Sequence, residues 1–138
     1  MSLCNLILLT LLCCTVQCVE TYPPQWVLDG ILYVETKSTY REDGSIRYVV
    51  KTRGKDGEYG PFQMTPIAFK QIRRRGEQFW MLETDTQYAE TMAVRYLVWL
   101  DDYYGHGDWN RNIEMYNAGP RHKSQDYLRK VQHAVGIK

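Results

Sequence analysis

Glu35 is the residue whose type and position most directly indicate chemistry. A helix is predicted over about residues 25–35, because apolar residues recur there at helical spacing. Leu28 and Ile31 lie on its apolar face, and Glu35 continues that face. A carboxyl group in such a position is desolvated or lies at the edge of a cleft, and desolvation raises its pKa. Because a raised pKa suits a general acid near neutral pH, Glu35 is a candidate catalytic acid.

A structural role for Glu35 fits the same local pattern. The residue would then lie at a frayed helix end, where Lys37 or Arg41 neutralises its charge.

Two later segments carry polar groups suited to a sugar. In residues 60–66 (GPFQMTP) the glycine allows close backbone approach, and the glutamine offers a donor and an acceptor. In residues 115–120 (MYNAGP) a phenol ring and an amide lie side by side, although a core tyrosine and a helix stop would explain them too.

Four motifs in this order resemble the soluble lytic transglycosylase domain. They are VET at residues 34–36, YGPFQMTP at 59–66, MYNAGP at 115–120 and YLRKV at 127–131. The family has Glu-Ser, then Gly-Leu-Met-Gln-Ile-Met-Pro, then Ala-Tyr-Asn-Ala-Gly, then a tyrosine on the last helix. The Gly-Pro-Phe-Gln form is also similar to invertebrate-type lysozymes of the same lysozyme-like superfamily. The resemblance covers the chain from about Gln25 to Lys138.

The resemblance implies an α+β, mostly α, lysozyme-like fold with a small β-hairpin beside the catalytic helix. It implies that Glu35 is the general acid/base and that other residues bind the sugar. These implied residues are Gln63 and Met64, the backbone near Gly60 and Phe62, and Tyr116, Asn117 and Tyr127. The chain departs from the family pattern at Thr36, which replaces the usual serine, and at Pro61 and Phe62, which replace Leu-Met.

The type of bond cleavage depends on whether a second carboxylate takes part. Both retaining and inverting glycosidases need one. The candidates are Glu42, Asp43, Asp56 and Glu58, and solvated ion pairs with nearby arginines explain them more plainly. We therefore expect a lytic transglycosylase that cuts the β-1,4 bond between N-acetylmuramic acid and N-acetylglucosamine and leaves a 1,6-anhydro product. The alternatives are a peptidoglycan hydrolase (a lysozyme) and a catalytically weak module that binds peptidoglycan or chitin.

The composition argues against several other classes of function. A chain of 138 residues with a net charge of +1 predicts one domain and no strong field for nucleic acid. His106, His122 and His133 lack metal-ligand spacing, so we expect neither metal nor cofactor. The expected partner is the peptidoglycan glycan strand, and the expected state is a monomer.

All four cysteines fall within the first 18 residues, in a stretch without charged residues. Residues 6–12 are apolar except for Thr10, a stretch that is too short for a good membrane span and typical of a secretory leader. We expect a signal peptide over residues 1–18 and a lysozyme-like domain over residues 19–138. The protein would then be secreted or lie in the periplasm or cell envelope, with membrane contact only through the leader. Lipidation of Cys18 is an alternative, although the preceding Gln17 is not small.

Capping residues and glycines predict the remaining elements. A hairpin is expected around residues 46–50, and a second helix from the cap Thr65 to Gly76. A long third helix follows over about residues 85–104, with Gly105 as its stop. Asp108 and Ser124 are the predicted caps of a fourth helix, which ends before Gly119, and a fifth helix, which ends at Gly136.

The leader generates the first prediction. Because the apolar stretch ends near Cys18 and charge begins at Glu20, we expect cleavage between them. N-terminal sequencing of exported protein should begin near Val19. Recovery of an intact Met1 on protein confined to the cytoplasm would contradict the predicted localisation.

Overall fold

The computed structural model describes residues 21–51 and 53–138, and the predicted leader lies outside them. The helices of this part are α1 Gln25–Thr36, α2 Pro66–Ile72, α3 Met81–Thr84, α4 Thr86–Leu100, α5 Trp109–Ala118 and α6 Gln125–Ala134. Strands β1 Thr39–Tyr40 and β2 Ile46–Arg47 form a two-stranded antiparallel sheet. The fold is therefore α+β and mostly α, as predicted. Within the described ranges, no helix is long and apolar enough to cross a membrane.

The apolar stripe of helix α1 is fully buried in the core. Its close neighbour is α6, which packs against Gly30. A Cβ atom at Gly30 would lie 2.6 Å from Cγ1 of Val131, so the glycine allows the two helices to approach closely. Val131 faces Gly30 while Tyr127 reaches Glu35, which shows that the two helices run antiparallel.

The β-hairpin is shorter than the sequence predicts. Only Ile46 and Arg47 of the predicted run 46–50 pair with the opposite strand. Beyond them, the N–H of Val49 donates to the Ser38 hydroxyl at 3.0 Å, and the N–H of Val50 donates to the Thr36 carbonyl at 3.1 Å. The end of α1 thus takes the donors that a longer ladder would use, and the hairpin is tied to the helix that carries Glu35.

Several predicted helix boundaries are confirmed and others are wrong. The side chains of Thr65, Asp85 and Asp108 cap α2, α4 and α5 by accepting from backbone N–H groups. Helix α2 ends at Ile72 rather than Gly76, and α6 ends at Ala134 rather than Gly136.

Three further differences from the predicted helices concern the second half of the chain. Ser124 precedes α6 without a capping bond, because its hydroxyl donates instead to Oδ1 of Asn117 at 3.0 Å. The last turn of the predicted third helix is a π-helical turn, Asp101–Gly105. There, the buried Asp101 accepts from the side-chain amide of Asn112. The short helix α3 was not predicted.

A tight turn over residues 60–63 connects the hairpin region to α2. The flanking residues Tyr59 and Met64 exchange two backbone hydrogen bonds of 3.0 Å. Gly60 has a φ of +78°, and a Cβ atom there would lie 2.5 Å from the carbonyl oxygen of Leu82. Gly60 is therefore required both for its conformation and for the close approach of α3.

The second prediction separates these two requirements of Gly60. Gly44 has a φ of +80° with open space around its Cβ position, so Gly44→Ala meets only the conformational cost, roughly 1–2 kcal/mol. Gly60→Ala should lower the free energy of unfolding by clearly more than Gly44→Ala, because it also forces apart the turn and α3. Urea unfolding of both variants measures the difference, and equal losses would show that the contact with Leu82 is unimportant.

Candidate active site

The carboxyl group of Glu35 lies half-buried in the last turn of α1. The hydroxyl of Tyr127 donates to its Oε1 at 2.5 Å. Burial raises the pKa of Glu35 from its ordinary value of 4.5 to about 7. The hydrogen bond from Tyr127 and the ammonium of Lys130 lower this pKa, whereas the carboxylate of Glu58 raises it further. At neutral pH, Glu35 is therefore divided between its acid and base forms.

Tyr127 is a well-placed partner for this group. It is buried on the first turn of α6, and burial and the neighbouring Glu35 raise its pKa well above the usual value. The phenol therefore stays protonated and remains a donor. Because its bond engages Oε1, Oε2 is the oxygen on which Glu35 can carry an exchangeable proton.

Two hydroxyl groups hold the turn 60–63 in place. Thr36, the residue after Glu35, donates from its side chain to the carbonyl oxygen of Pro61 at 2.8 Å. Tyr116 donates to the carbonyl oxygen of Phe62 at 2.8 Å. Both hydroxyls are buried, so the bonds satisfy carbonyl groups that water does not reach. The serine that the resembled family has at this position would offer the same hydroxyl. Thr36 therefore retains the group that bonds the carbonyl oxygen of Pro61.

The structure brings most of the implied sugar-binding residues close to the turn, in different environments. The side chains of Phe62 and Met64 are 1% and 2% exposed and therefore pack in the core rather than face solvent. Gln63 is half-buried, has a positive φ of 46°, and donates from Nε2 to the carbonyl of Gly60 at 2.9 Å. Such a φ is strained for a non-glycine residue and holds the side chain in one place.

Tyr116 and Asn117 lie at the end of α5 and differ in exposure. Tyr116 is buried, and its hydroxyl is taken by the turn rather than by Glu35. Burial raises the pKa of Tyr116 well above its usual value, and the charge of Glu35 adds to the rise. Asn117 is exposed and accepts the hydroxyl of Ser124. The structure thus places the amide where solvent and a ligand can reach it.

Of the four candidate second carboxylates, Glu58 is the one whose charge raises the pKa of Glu35. Glu58 is half-buried, and its Oε2 accepts from the backbone N–H of Asp56 at 2.9 Å. Asp43 instead accepts from Ser45 in the exposed hairpin turn.

Sequence reasoning missed Glu83 and Lys130. Oε2 of Glu83 accepts from the hydroxyl of Tyr48 at 3.0 Å and from the N–H of Gly60 at 3.2 Å, so it joins the hairpin to the turn. It lies in the unpredicted α3, and no local pattern marks it. Lys130 belongs to the last of the four motifs, three residues after Tyr127, which places both on neighbouring parts of one helix face.

Comparisons of this chain with protein-family models, with curated proteins and with solved structures found no match. The proposal of a function below therefore depends on the site itself and on the four motifs.

The third prediction concerns the bond between Tyr127 and Glu35. Because this bond lowers the pKa of the carboxyl group, Tyr127→Phe should raise that pKa above about 7. Titration of the ¹³C-labelled side-chain carboxyl by NMR measures the change. An unchanged or lowered pKa would contradict the assignment of this bond.

Tyr116→Phe is the matched control, because it removes a buried hydroxyl that bonds the turn instead of Glu35. This variant should mainly lower the free energy of unfolding, by roughly 0.5–1.5 kcal/mol, because the carbonyl of Phe62 loses its hydrogen-bond donor. The pKa of Glu35 should move less than in Tyr127→Phe.

Proposed function

We propose that this protein is a peptidoglycan lytic transglycosylase with a lysozyme-like fold. One observation carries the proposal: Glu35 is a half-buried carboxyl at a helix end, with a pKa of about 7 and a fixed phenol partner. Such a group can give and take a proton near neutral pH. The order of the four motifs supports a glycan substrate. The proposed site of action is the cell envelope or the exterior.

In the proposed mechanism, Glu35 performs both proton transfers. It first protonates the oxygen of the glycosidic bond, and that bond breaks with its electron pair on the leaving sugar. The acetamido group of the N-acetylmuramic acid can stabilise the oxocarbenium-like centre, so no second side chain is required. The ionised Glu35 then takes the proton of the 6-hydroxyl, whose oxygen bonds the anomeric carbon. This step gives the 1,6-anhydro product and restores the acid form of Glu35.

A peptidoglycan hydrolase on the same site is the second candidate, and the position of Glu58 favours it. A carboxylate close enough to raise the pKa of Glu35 could also activate a water molecule or attack the sugar. In the present conformation Glu58 bonds the loop backbone at Asp56, which favours a structural role. The two candidates differ in the role of Glu58 and in the product.

The fourth prediction tests Glu35 as the acid. Glu35→Gln keeps the shape of the side chain and removes its proton donor, so cell-wall cleavage should fall by about 10²–10⁴. In the wild type, kcat/KM should decrease as pH rises through about 7, because the free enzyme must hold the proton to begin the reaction. The rate at which the turbidity of a cell-wall suspension falls, measured across pH, tests both effects. A near-normal rate for Glu35→Gln would contradict the proposal.

Glu58→Gln is the matched comparison, since it makes the same chemical change at the neighbouring carboxylate. A transglycosylase should retain most of its activity in this variant, whereas a hydrolase that uses Glu58 should lose it. Mass spectrometry of the released sugars gives an independent result. An anhydro product is lighter than the hydrolytic product by one water and resists borohydride reduction, so purely reducible ends would identify a hydrolase.

A further inference from the structure

A groove of about 320 Å³ lies between α1 and α6, on the outer side of the helix pair. Its lining residues are Tyr33, Val34, Lys37, Lys130, His133 and Ala134. The groups in this lining that can carry charge are two lysines and a histidine, and no carboxylate is among them. A groove with this lining favours an anionic ligand.

The groove begins beside Glu35. Val34 precedes Glu35 in α1, and Lys130 follows Tyr127 by about one turn of α6. Lys130 lines the groove, and its charge lowers the pKa of Glu35. One end of the groove is therefore formed by residues that adjoin Glu35 and Tyr127 along their helices.

The groove also offers an apolar contact. The ring of Tyr33 is 43% exposed, and Nζ of Lys37 lies 4.9 Å from its centroid. Farther along α6, an adjoining surface hollow carries Arg129, Lys138 and the exposed Ile137. Positive groups and apolar surface thus both occur along the helix pair, with Arg129 paired to Asp126 at 3.3 Å. This arrangement suits a flexible chain with carboxylates and short side chains better than a bare sugar.

We propose that this groove binds the carboxylate-bearing peptide stem of peptidoglycan while the sugar lies at Glu35. The inference rests on the proposed function and narrows its substrate class from a glycan in general to one that carries peptides. In peptidoglycan the stem is attached to the same muramic acid whose bond reacts, so the groove and the acid must be adjacent. A broad basic surface for a bilayer or a nucleic acid is not required, and the net charge of +1 does not supply one.

The test compares two substrates: glycan strands that carry peptides, and the same strands stripped of peptides by an amidase, with the lactyl carboxylate that this exposes capped as an amide. The variant is Lys37→Gln with Lys130→Gln, and the quantity measured is the ratio of KM for peptide-bearing strands to KM for stripped strands. We expect this ratio to rise roughly 3- to 10-fold, as two weak, partly solvated charge contacts are lost. Lys70→Gln with Arg75→Gln removes the same charge from exposed positions outside the groove and should leave the ratio unchanged.

An unchanged ratio in the Lys37 and Lys130 variant would overturn the proposal. The proposal would also be overturned if the Lys37 and Lys130 variant lost the binding of the wild type to phosphatidylglycerol vesicles while the KM ratio stayed the same. The groove would then recognise a membrane surface. A proportional change in both KM values would show that Lys130 acts only through Glu35.

Binding measurements distinguish failure of this inference from failure of the proposed function. If the wild type cuts neither substrate, the lytic function fails. Calorimetry with a soluble disaccharide-peptide, and with the same disaccharide whose lactyl carboxyl is capped as an amide, still tests the groove. Tighter binding of the peptide form, lost in the Lys37 and Lys130 variant, would support the groove, and equal affinities would overturn it.

Discussion

The close packing of α1 against α6 at Gly30 determines the position of the groups in the candidate site. The missing side chain at Gly30 lets the backbone and side chain of Val131 approach α1 closely. Because the helices are antiparallel, this contact brings the start of α6 to the end of α1, where Tyr127 meets Glu35. A larger residue at position 30 would separate the helices and expose the carboxyl group. The pKa of about 7 thus depends on a contact more than one helical turn away.

The turn over residues 60–63, which forms the other part of the candidate site, is held by core packing and buried hydrogen bonds. Phe62 and Met64 anchor the turn in the core, while Thr36 and Tyr116 each satisfy one of its carbonyl groups. The two hydroxyls come from different helices, so the position of the turn depends on the packing of both α1 and α5. The motif residues that the resemblance assigns to sugar binding therefore stabilise the fold, whether or not they also contact a ligand.

The sequence predicted the features that depend on local patterns. The apolar periodicity of α1 marked Glu35, and Thr65 and Asp108 were correctly chosen as caps, because capping needs only the next few residues. The early end of the hairpin was not predictable, since Ser38 and Thr36 take its donors from another element. The same reason applies to the bond of Tyr116 to Phe62. A side chain has several hydrogen-bond partners within reach, and tertiary packing selects one.

The charges around Glu35 couple the acid to its proposed substrate. Glu58 raises the pKa of Glu35 and Lys130 lowers it, so the value near 7 includes two opposing contributions on top of burial. A ligand carboxylate paired with Lys130 would offset the positive charge that stabilises ionised Glu35. The pKa of Glu35 would then rise on binding, and more of the bound enzyme would hold the proton that the first step needs. By linkage, protonated Glu35 would in turn bind the anionic ligand more tightly than ionised Glu35 does. A strand without peptides carries only the lactyl carboxylate of its muramic acid. If the stem carboxylates pair with Lys130 and the lactyl group does not, the same lysine would favour a peptide-bearing strand in both binding and proton transfer.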